Sequence, residues 1–189
     1  MQQINKEIAL QYDFFLELFR EKKMVDSNII YLKPKQNKLD WISGSSNVSH
    51  MTVDEVVLLS IEQSKRESKY GIKLTCQELS SVPFVRFDSD GPAHRNDDPD
   101  KPINEQKIET PHFHTFNEFG KSYAFKTPQL VDENECSAII NDVNFGLAHF
   151  CHITNMSAKE NIYPEVREMA LELSFEDLPT VDFNGVRFE

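Results

Sequence analysis

The chain has 189 residues, a length that suits one domain or one domain with an appended arm. Its 20 basic and 31 acidic side chains leave a net charge of -11, which argues against general nucleic-acid binding and against attraction to anionic lipid. No apolar run is long enough to span a membrane, no secretory signal begins the sequence, and three widely spaced cysteines are not a disulfide framework. We therefore expect a cytoplasmic protein without a membrane segment.

The negative charge is concentrated in one part of the chain. Residues 131–189 carry 3 basic and 12 acidic side chains, so this acidic third accounts for -9 of the net charge. We interpret it either as a solvated face or as a surface for a protein partner. The first two-thirds are nearly balanced, which leaves local polyanion binding open there. The basic residues that favour such binding are Lys33, Lys35, Lys38, Lys65, Arg66 and Lys69.

Residues 4–23 have the apolar spacing of an amphipathic helix. The spaced residues are Ile4, Ile8, Tyr12, Phe15 and Phe19. We expect this stripe to pack in the core rather than to bind a cofactor. The segment KKMVDSN then ends the helix.

From residue 28 to about residue 90, within a sheet region that extends to residue 126, the helical period is replaced by short runs rich in β-branched and aromatic residues. The runs are IIYL, KLDWIS, VVLLSIEQ, YGIKLTCQEL and PFVRFD. VVLLSIEQ also fits a helix capped by Thr52 or Asp54, but its β-branched start favours a strand. Trp41 is expected to be a core anchor or a lid over the sheet. The pattern predicts an α+β fold with an antiparallel sheet of about five strands, flanked by an N-terminal helix and C-terminal helices.

Residues 89–110 contain four aspartates, three prolines and one glycine, and almost no apolar residue. This composition predicts a long surface loop without secondary structure. A loop of this length in a compact domain is usually functional or disordered. It connects two strand-like runs, PFVRFD and PHFHTF, and a turn and closing strand follow in NEFGKSYAF.

The helical period returns at residue 132. Asp132 is a good N-cap with Glu135 three residues later, and Gly146 indicates close packing within the helix. The predicted buried stripe is Cys136, Ile139, Ile140, Val143, Leu147, Phe150 and Cys151. A second helix is predicted to start at Pro164. It would bury Val166, Met169, Ala170 and Leu173.

We expect residues 1–157 to form a single α+β domain and residues 158–189 to form a C-terminal helix and arm. The arm would pack on the domain or on a second copy, which would make a homo-oligomer.

Three of the six histidines lie in one stretch, and two of them share a strand. His112 and His114 are two residues apart, so both rings point to the same face if PHFHTF is a strand. Arg86 and Asp88 share a face of PFVRFD for the same reason. An antiparallel pairing of these strands would bring the four side chains together, with His94 carried over them by the loop.

Two chemistries suit this cluster, and a structural role is the alternative. His112 and His114, completed by His94 or Asp88, would make an open three-ligand site for a divalent metal such as zinc. Alternatively, one histidine acts as general acid and another as general base, while Arg86 binds a phosphate. Such a site would cleave a phosphodiester. The structural role is a hydrogen-bonded network that fixes the long loop to the sheet.

A second histidine group, HFCH at residues 149–152, looks like a metal motif, but Cys151 falls in the buried stripe. We therefore interpret His149 and His152 as structural, near a helix C-terminus. The sequence has no Gly-rich phosphate loop, CxxC pair, HExxH motif or GxSxG motif.

The segment from Val82 to Phe125 resembles a family of small bacterial and phage-encoded proteins of unknown function. The matching pattern is RxD at residues 86–88, GxxHxN at 91–96 and PHxH at 111–114, followed by Phe116, Gly120, Ala124 and Phe125. The resemblance implies an early helix, a small antiparallel sheet and a closing helix. It implies no established activity, only a frequent link with prophages and mobile elements. This chain departs from the family in its longer acidic loop and in an extra segment after about residue 157.

Two functions follow as hypotheses. In the first, a prophage- or mobile-element-associated protein uses His94, His112, His114, Arg86 and Asp88 as a metal or phosphodiester-acting site, as a nuclease or toxin would. In the second, a non-catalytic protein binds a partner through its acidic third, and the histidines are structural. Whether the chain is an enzyme is left open at this point.

Overall fold

The computed structural model describes residues 4–169. The helices are α1 (Lys6–Leu10), α2 (Tyr12–Arg20), α3 (Pro128–Val131), α4 (Glu133–Asn141) and α5 (Val143–Ile153). The strands are β1 (Lys23–Val25), β2 (Ile29–Lys35), β3 (Lys38–His50), β4 (Val57–Ser64), β5 (Tyr70–Cys76), β6 (Val85–Asp88), β7 (His94–Arg95), β8 (Lys107–Ile108), β9 (His112–Phe116), β10 (Ser122–Phe125), β11 (Met156–Ser157) and β12 (Glu165–Glu168). None of the helices in residues 4–169 is long and apolar enough to cross a membrane.

The α+β class is confirmed, but the predicted sheet of about five antiparallel strands is wrong in the number of strands and in their relative direction. Ten strands form one curled sheet in the order β10-β9-β6-β5-β4-β3-β1-β11, with β2 paired to β3 and to β12. The β1–β11 and β2–β12 pairs are parallel. Several added strands have only two to four residues, too few to show a period of two in the sequence.

The two faces of the central strands differ in chemistry. In β4 and β5 the alternate residues Leu59, Ile61, Ile72 and Leu74 are buried, while the residues between them are only half-buried. Helices α2 and α5 supply the other side of the core, through side chains such as Phe150. We call the face that points away from this core the outer face. Because side chains alternate along each strand, one register places all core residues inward and all site residues outward.

The predicted N-terminal helix is interrupted at Gln11, whose φ of -119° and ψ of 36° are not helical. Asn5 caps α1, since its Oδ1 accepts a hydrogen bond from the backbone N–H of Ile8 at 3.1 Å. Phe15 is buried as predicted, whereas Ile4 is exposed. The helix ends at Arg20, and the following residues form β1.

The helix predicted from residue 132 is two helices. Asp132 is the N-cap of α4, where its Oδ1 accepts from the N–H groups of Asn134 and Glu135. Asp142 is an N-cap too, since its side chain accepts from the N–H of Asn144 at 2.7 Å and begins α5. The side-chain oxygen of Asp142 therefore starts a new helix where the apolar stripe alone predicts continuation.

The helix predicted at Pro164 is wrong, because Glu165–Glu168 is strand β12, parallel to β2. Val166 is buried while its two neighbours are exposed, which is the alternation of a strand. The side chain of Asn144 holds this strand by accepting from the Val166 N–H at 2.7 Å and donating to the Val166 carbonyl at 3.3 Å. Ala170 and Leu173, with the arm over residues 174–189, lie outside the described residues.

The stretch predicted as a structureless loop is partly ordered by pairing. β7 and β8 form a two-stranded sheet in which His94 pairs with Ile108. Asn96 attaches this hairpin to β10, because its side chain donates to the Ala124 carbonyl at 2.8 Å and accepts from the Ala124 N–H at 2.7 Å. Inside the hairpin the buried Gln106 donates to two backbone carbonyls. These bonds fix the path that brings His94 to the outer face.

Candidate metal centre

Strands β6 and β9 are antiparallel neighbours, as the spacing of their polar residues predicts. Arg86 pairs with His114, and Asp88 pairs with His112. All four side chains therefore lie on the outer face. Phe87 points inward from the same pair of strands and packs in the core, with its ring 5.0 Å from that of Phe113. The core residues thus determine the register in which the polar residues meet.

Three of these side chains converge on one point. Nε2 of His112 lies 2.7 Å from Nε2 of His114, and Nε2 of His114 lies 3.2 Å from Oδ2 of Asp88. One ligand atom from each of the three residues lies within 4.8 Å of the other two. A group that could hold a metal ion is therefore present. We call Asp88, His112 and His114 the ligand triad.

The triad is enclosed on one side and open on the other. His112 is only 1% exposed, whereas the side chains of His114 and Asp88 are 14% and 25% exposed. Within residues 4–169, Nδ1 of His112 is a buried atom without a hydrogen-bond partner. The backbone of Glu109 acts to raise the pKa of this ring, and burial outweighs that effect. Solvent and ligands therefore reach the triad from the side of Asp88 and His114.

Electrostatics favour the protonation states that bind metals. Burial, the largest influence on Asp88, would raise its pKa, but the hydrogen bond with His114 and the charge of Arg86 outweigh it and the pKa is lowered. The pKa of His112 is lowered by burial and then by the charge of His114. Burial also lowers the pKa of His94, and the neighbouring histidines add to that effect. An ionised carboxylate and neutral imidazoles are the forms that coordinate a metal.

Arg86 lies beside the triad and faces solvent. One of its terminal nitrogens is 2.9 Å from Oδ2 of Asp88, and its side chain is 46% exposed. Arg86 lines three clefts that meet at the triad. The loop-side cleft, of about 340 Å³, lies under residues 90–94. The helix-side cleft, of about 570 Å³, adjoins residues 4–7. The tryptophan-side cleft, of about 270 Å³, extends across the outer face to Trp41.

His94 is brought to the cluster but not into the ligand group. Its ring lies edge-on to that of His114, with 4.8 Å between the centroids, and it lines the loop-side cleft. Asp88 takes the third position in the triad instead. The sequence leaves the choice between His94 and Asp88 open, because the hairpin that carries His94 has no periodic signal.

The HFCH segment does not converge on a centre among the described residues. His149 is buried and its Nε2 lies 2.9 Å from the Thr127 hydroxyl, Cys151 is buried, and His152 is exposed. Burial lowers the pKa of His149 to about 4. These contacts fit the structural interpretation of this segment.

Sequence reasoning missed part of the outer face around the triad. Across β5 and β6, Lys73 pairs with Arg86 and Gly71 pairs with Asp88. Lys73 and Gly71 therefore lie on the outer face beside these two site residues. The alternation in YGIKLTC is the signal that places these two residues on the outer face. Trp41 is half-buried on the outer face and lines the tryptophan-side cleft, so of its two predicted roles the structure supports the lid over the sheet.

No protein-family model, no curated protein and no solved structure matches the chain.

Proposed function

We propose that this chain binds one divalent metal ion such as zinc through the ligand triad and uses it to act on a phosphodiester held by Arg86. The observation that carries the proposal is the convergence of two imidazole nitrogens and one carboxylate oxygen within 4.8 Å. Two histidines and one carboxylate are a frequent ligand set of catalytic zinc, which keeps a further position for water or substrate. That position would face solvent between Asp88 and His114.

The distances favour a metal over an acid–base pair of histidines. A pair that protonates and deprotonates a substrate has to contact it with both rings. His112 is buried, and its Nε2 faces that of His114 at 2.7 Å, which leaves no room for a phosphate between them. Nitrogens on a tetrahedral zinc are about 3.3 Å apart, so the two Nε2 atoms would have to move apart by only about 0.6 Å to bind the metal.

The surrounding side chains supply the rest of the chemistry. A bound metal of this class makes water a nucleophile near neutral pH and polarises a phosphoryl oxygen. Arg86 would bind a phosphate oxygen through donors that its ion pair with Asp88 leaves exposed, since a guanidinium has five N–H groups. His94, with its lowered pKa, would be neutral near pH 7 and would accept a proton at the edge of the loop-side cleft.

Metal binding is tested on protein prepared without a histidine tag. Titration calorimetry with zinc should give one site per chain, and cobalt should give the visible absorption of a four-coordinate ion. Asp88→Asn keeps the shape of the side chain and should weaken binding by about tenfold or more. His152→Gln is the matched control, because it removes an exposed histidine from the HFCH segment. No zinc binding, or equal loss in both variants, would contradict the proposal.

The remaining hypotheses stay predictions. The second function, partner binding through the acidic third, depends partly on residues 170–189, which lie outside the described residues. Arm-mediated oligomers, the domain boundary at residue 157 and the link with prophages also stay predictions.

A further inference from the structure

We infer that the substrate of the proposed metal site is a single-stranded nucleic acid, which lies across the outer face from the ligand triad to Trp41. The inference rests on the function proposed above and adds the class of substrate and the surface that binds it. It is carried by the tryptophan-side cleft, which joins Arg86 and Asp88 at one end to Trp41 at the other.

The cleft crosses four neighbouring strands in a defined order. Asp88 on β6 pairs with Gly71 on β5, which pairs with Glu62 on β4, which pairs with Ser43 on β3. Trp41 is two residues from Ser43 and therefore on the same face. Three inter-strand spacings separate the ends, about 14 Å. A single phosphate would occupy only the Arg86 end of this length, whereas a short oligonucleotide would occupy all of it.

Gly71 keeps the middle of the cleft open. It lies on the outer face between Glu62 and Asp88, where any side chain would project into the cleft. A Cβ at this position would meet only ordinary contacts, at 3.6 Å from the Phe87 carbonyl oxygen and 3.7 Å from Asp88 Oδ1. The fold therefore does not require glycine here for space, and the open floor is available to a ligand.

The charge of the cleft differs from that of the chain. Its lining includes four cationic and three acidic side chains, although the chain as a whole carries -11. The cations are Lys38, Lys69, Lys73 and Arg86, and the acids are Glu62, Asp88 and Asp90. A divalent metal at Asp88 would add two further positive charges. Three of the four cations are paired with these acids, so the lining carries one net positive charge, and a polyanion would meet it without the repulsion that the net charge of the chain implies.

Trp41 supplies a surface for a base. It is half-buried, so part of the indole is open to the cleft. Nζ of Lys38 lies over one face of the indole, 3.5 Å from the centroid of the ring, so a base stacked on this face would displace the flexible Lys38 side chain and leave its cation for a phosphate. Aromatic rings beside cationic side chains on the face of a sheet are a common means of binding single strands without sequence preference.

The binding experiment uses labelled hexauridylate and hexathymidylate, with uridine monophosphate and a short duplex for comparison. Anisotropy is measured in EDTA, so that binding is read without turnover. Trp41 is the only tryptophan, so quenching of its fluorescence reports contact directly. We expect binding of the single strands, much weaker binding of the mononucleotide and the duplex, and quenching of Trp41. If the mononucleotide binds as tightly as the hexamers, the single-strand inference is overturned.

Two variants locate the bound strand. Trp41→Ala should lower affinity roughly 5- to 150-fold, the range for loss of one stacked base. Gly71→Leu should fill the floor of the cleft and lower affinity about tenfold or more. Thr75→Leu is the matched control, since it enlarges a side chain on the same face of β5 but outside the cleft lining. Equal affinity in Gly71→Leu and Thr75→Leu would overturn the inference.

Zinc titration of the same preparations separates the two proposals. Zinc binding without oligonucleotide binding overturns the substrate class and leaves the metal site standing. Oligonucleotide binding that depends on Gly71 and Trp41, without zinc binding, overturns the metal site but supports the binding surface. Cleavage of the hexamers only with metal present, lost in Asp88→Asn, supports both.

Discussion

Acidification should destabilise the folded chain through His149. The ring is 9% exposed, and its Nε2 lies within hydrogen-bonding distance of the Thr127 hydroxyl, at 2.9 Å. Burial, followed by the charge of His152, lowers the pKa of His149 from 6.5 to about 4. The neutral ring is therefore the folded form, and the unfolded chain takes up a proton first as the pH falls. Stability from His149 is complete above about pH 6.5 and is lost as the pH falls towards 4.

The size of the effect follows from the two pKa values. The difference of about 2.5 between the two pKa values corresponds to about 3 kcal/mol in the free energy of unfolding. Most of this, about 2–3 kcal/mol, should be lost between pH 7.5 and pH 4.5, where the folded ring is still largely neutral and the unfolded ring is charged. This is a large fraction of the stability of an ordinary domain, about 5–15 kcal/mol.

The assay is urea unfolding at both pH values, followed by circular dichroism and by the fluorescence of Trp41. His149→Gln provides the comparison, because glutamine does not titrate and other groups contribute equally in both proteins. The parent chain should lose about 2–3 kcal/mol more than the variant on going from pH 7.5 to pH 4.5. Parallel pH dependence in the two proteins would refute the reasoning, because it would mean that the neutral buried ring does not stabilise the fold.

Three further predictions concern the elements that support the site. Gly146→Ala should destabilise the protein by about 2 kcal/mol or more in urea, because the added Cβ would overlap the phenolic oxygen of Tyr70 although alanine is the better helix former. Asp142→Ala should cost about 1 kcal/mol in the same assay by removing the N-cap of α5, and an unchanged midpoint would contradict this role. Asn96→Ala should increase amide hydrogen exchange in β7 and β8 while β5 keeps its protection, because Asn96 attaches the hairpin to β10; uniform exchange rates would argue against a local attachment.

The sequence predicts the local strand pattern well where polar and apolar residues alternate. Arg86 and Asp88 flank Phe87, and the two histidines flank Phe113, so the pairing of β6 with β9 follows from burial of the two phenylalanines. Spacing does not decide which residue joins His112 and His114 in the candidate site, because His94 and Asp88 both satisfy it. Choosing Asp88 requires the path of the hairpin, which depends on bonds between residues far apart in sequence.

The elements that were missed share a physical cause. β12 and β11 have four and two residues and obtain their partners from distant segments, so local propensity carries little of their stability. In the case of β12, Pro164 favours the first turn of a helix, but pairing with β2 and the side chain of Asn144 outweigh this preference. The break between α4 and α5 coincides with the hydrogen bond that the Asp142 carboxylate accepts from the Asn144 N–H, which an apolar stripe does not reveal.

The alternation of β6 and β9 has a consequence for how the chain tolerates insertions. Each ligand of the triad in these strands is one residue away from a core phenylalanine. One residue inserted between Val85 and Arg86 would turn Arg86 and the Asp88 carboxylate inward and would expose Phe87. The connection between the two strands has no such alternation to preserve at its tip, at residues 99–100 between the two carbonyls that Gln106 binds, and a longer loop adds little closure entropy. Length variation at that tip should therefore be compatible with an unchanged site, whereas a single insertion in either strand should abolish the fold and the site together.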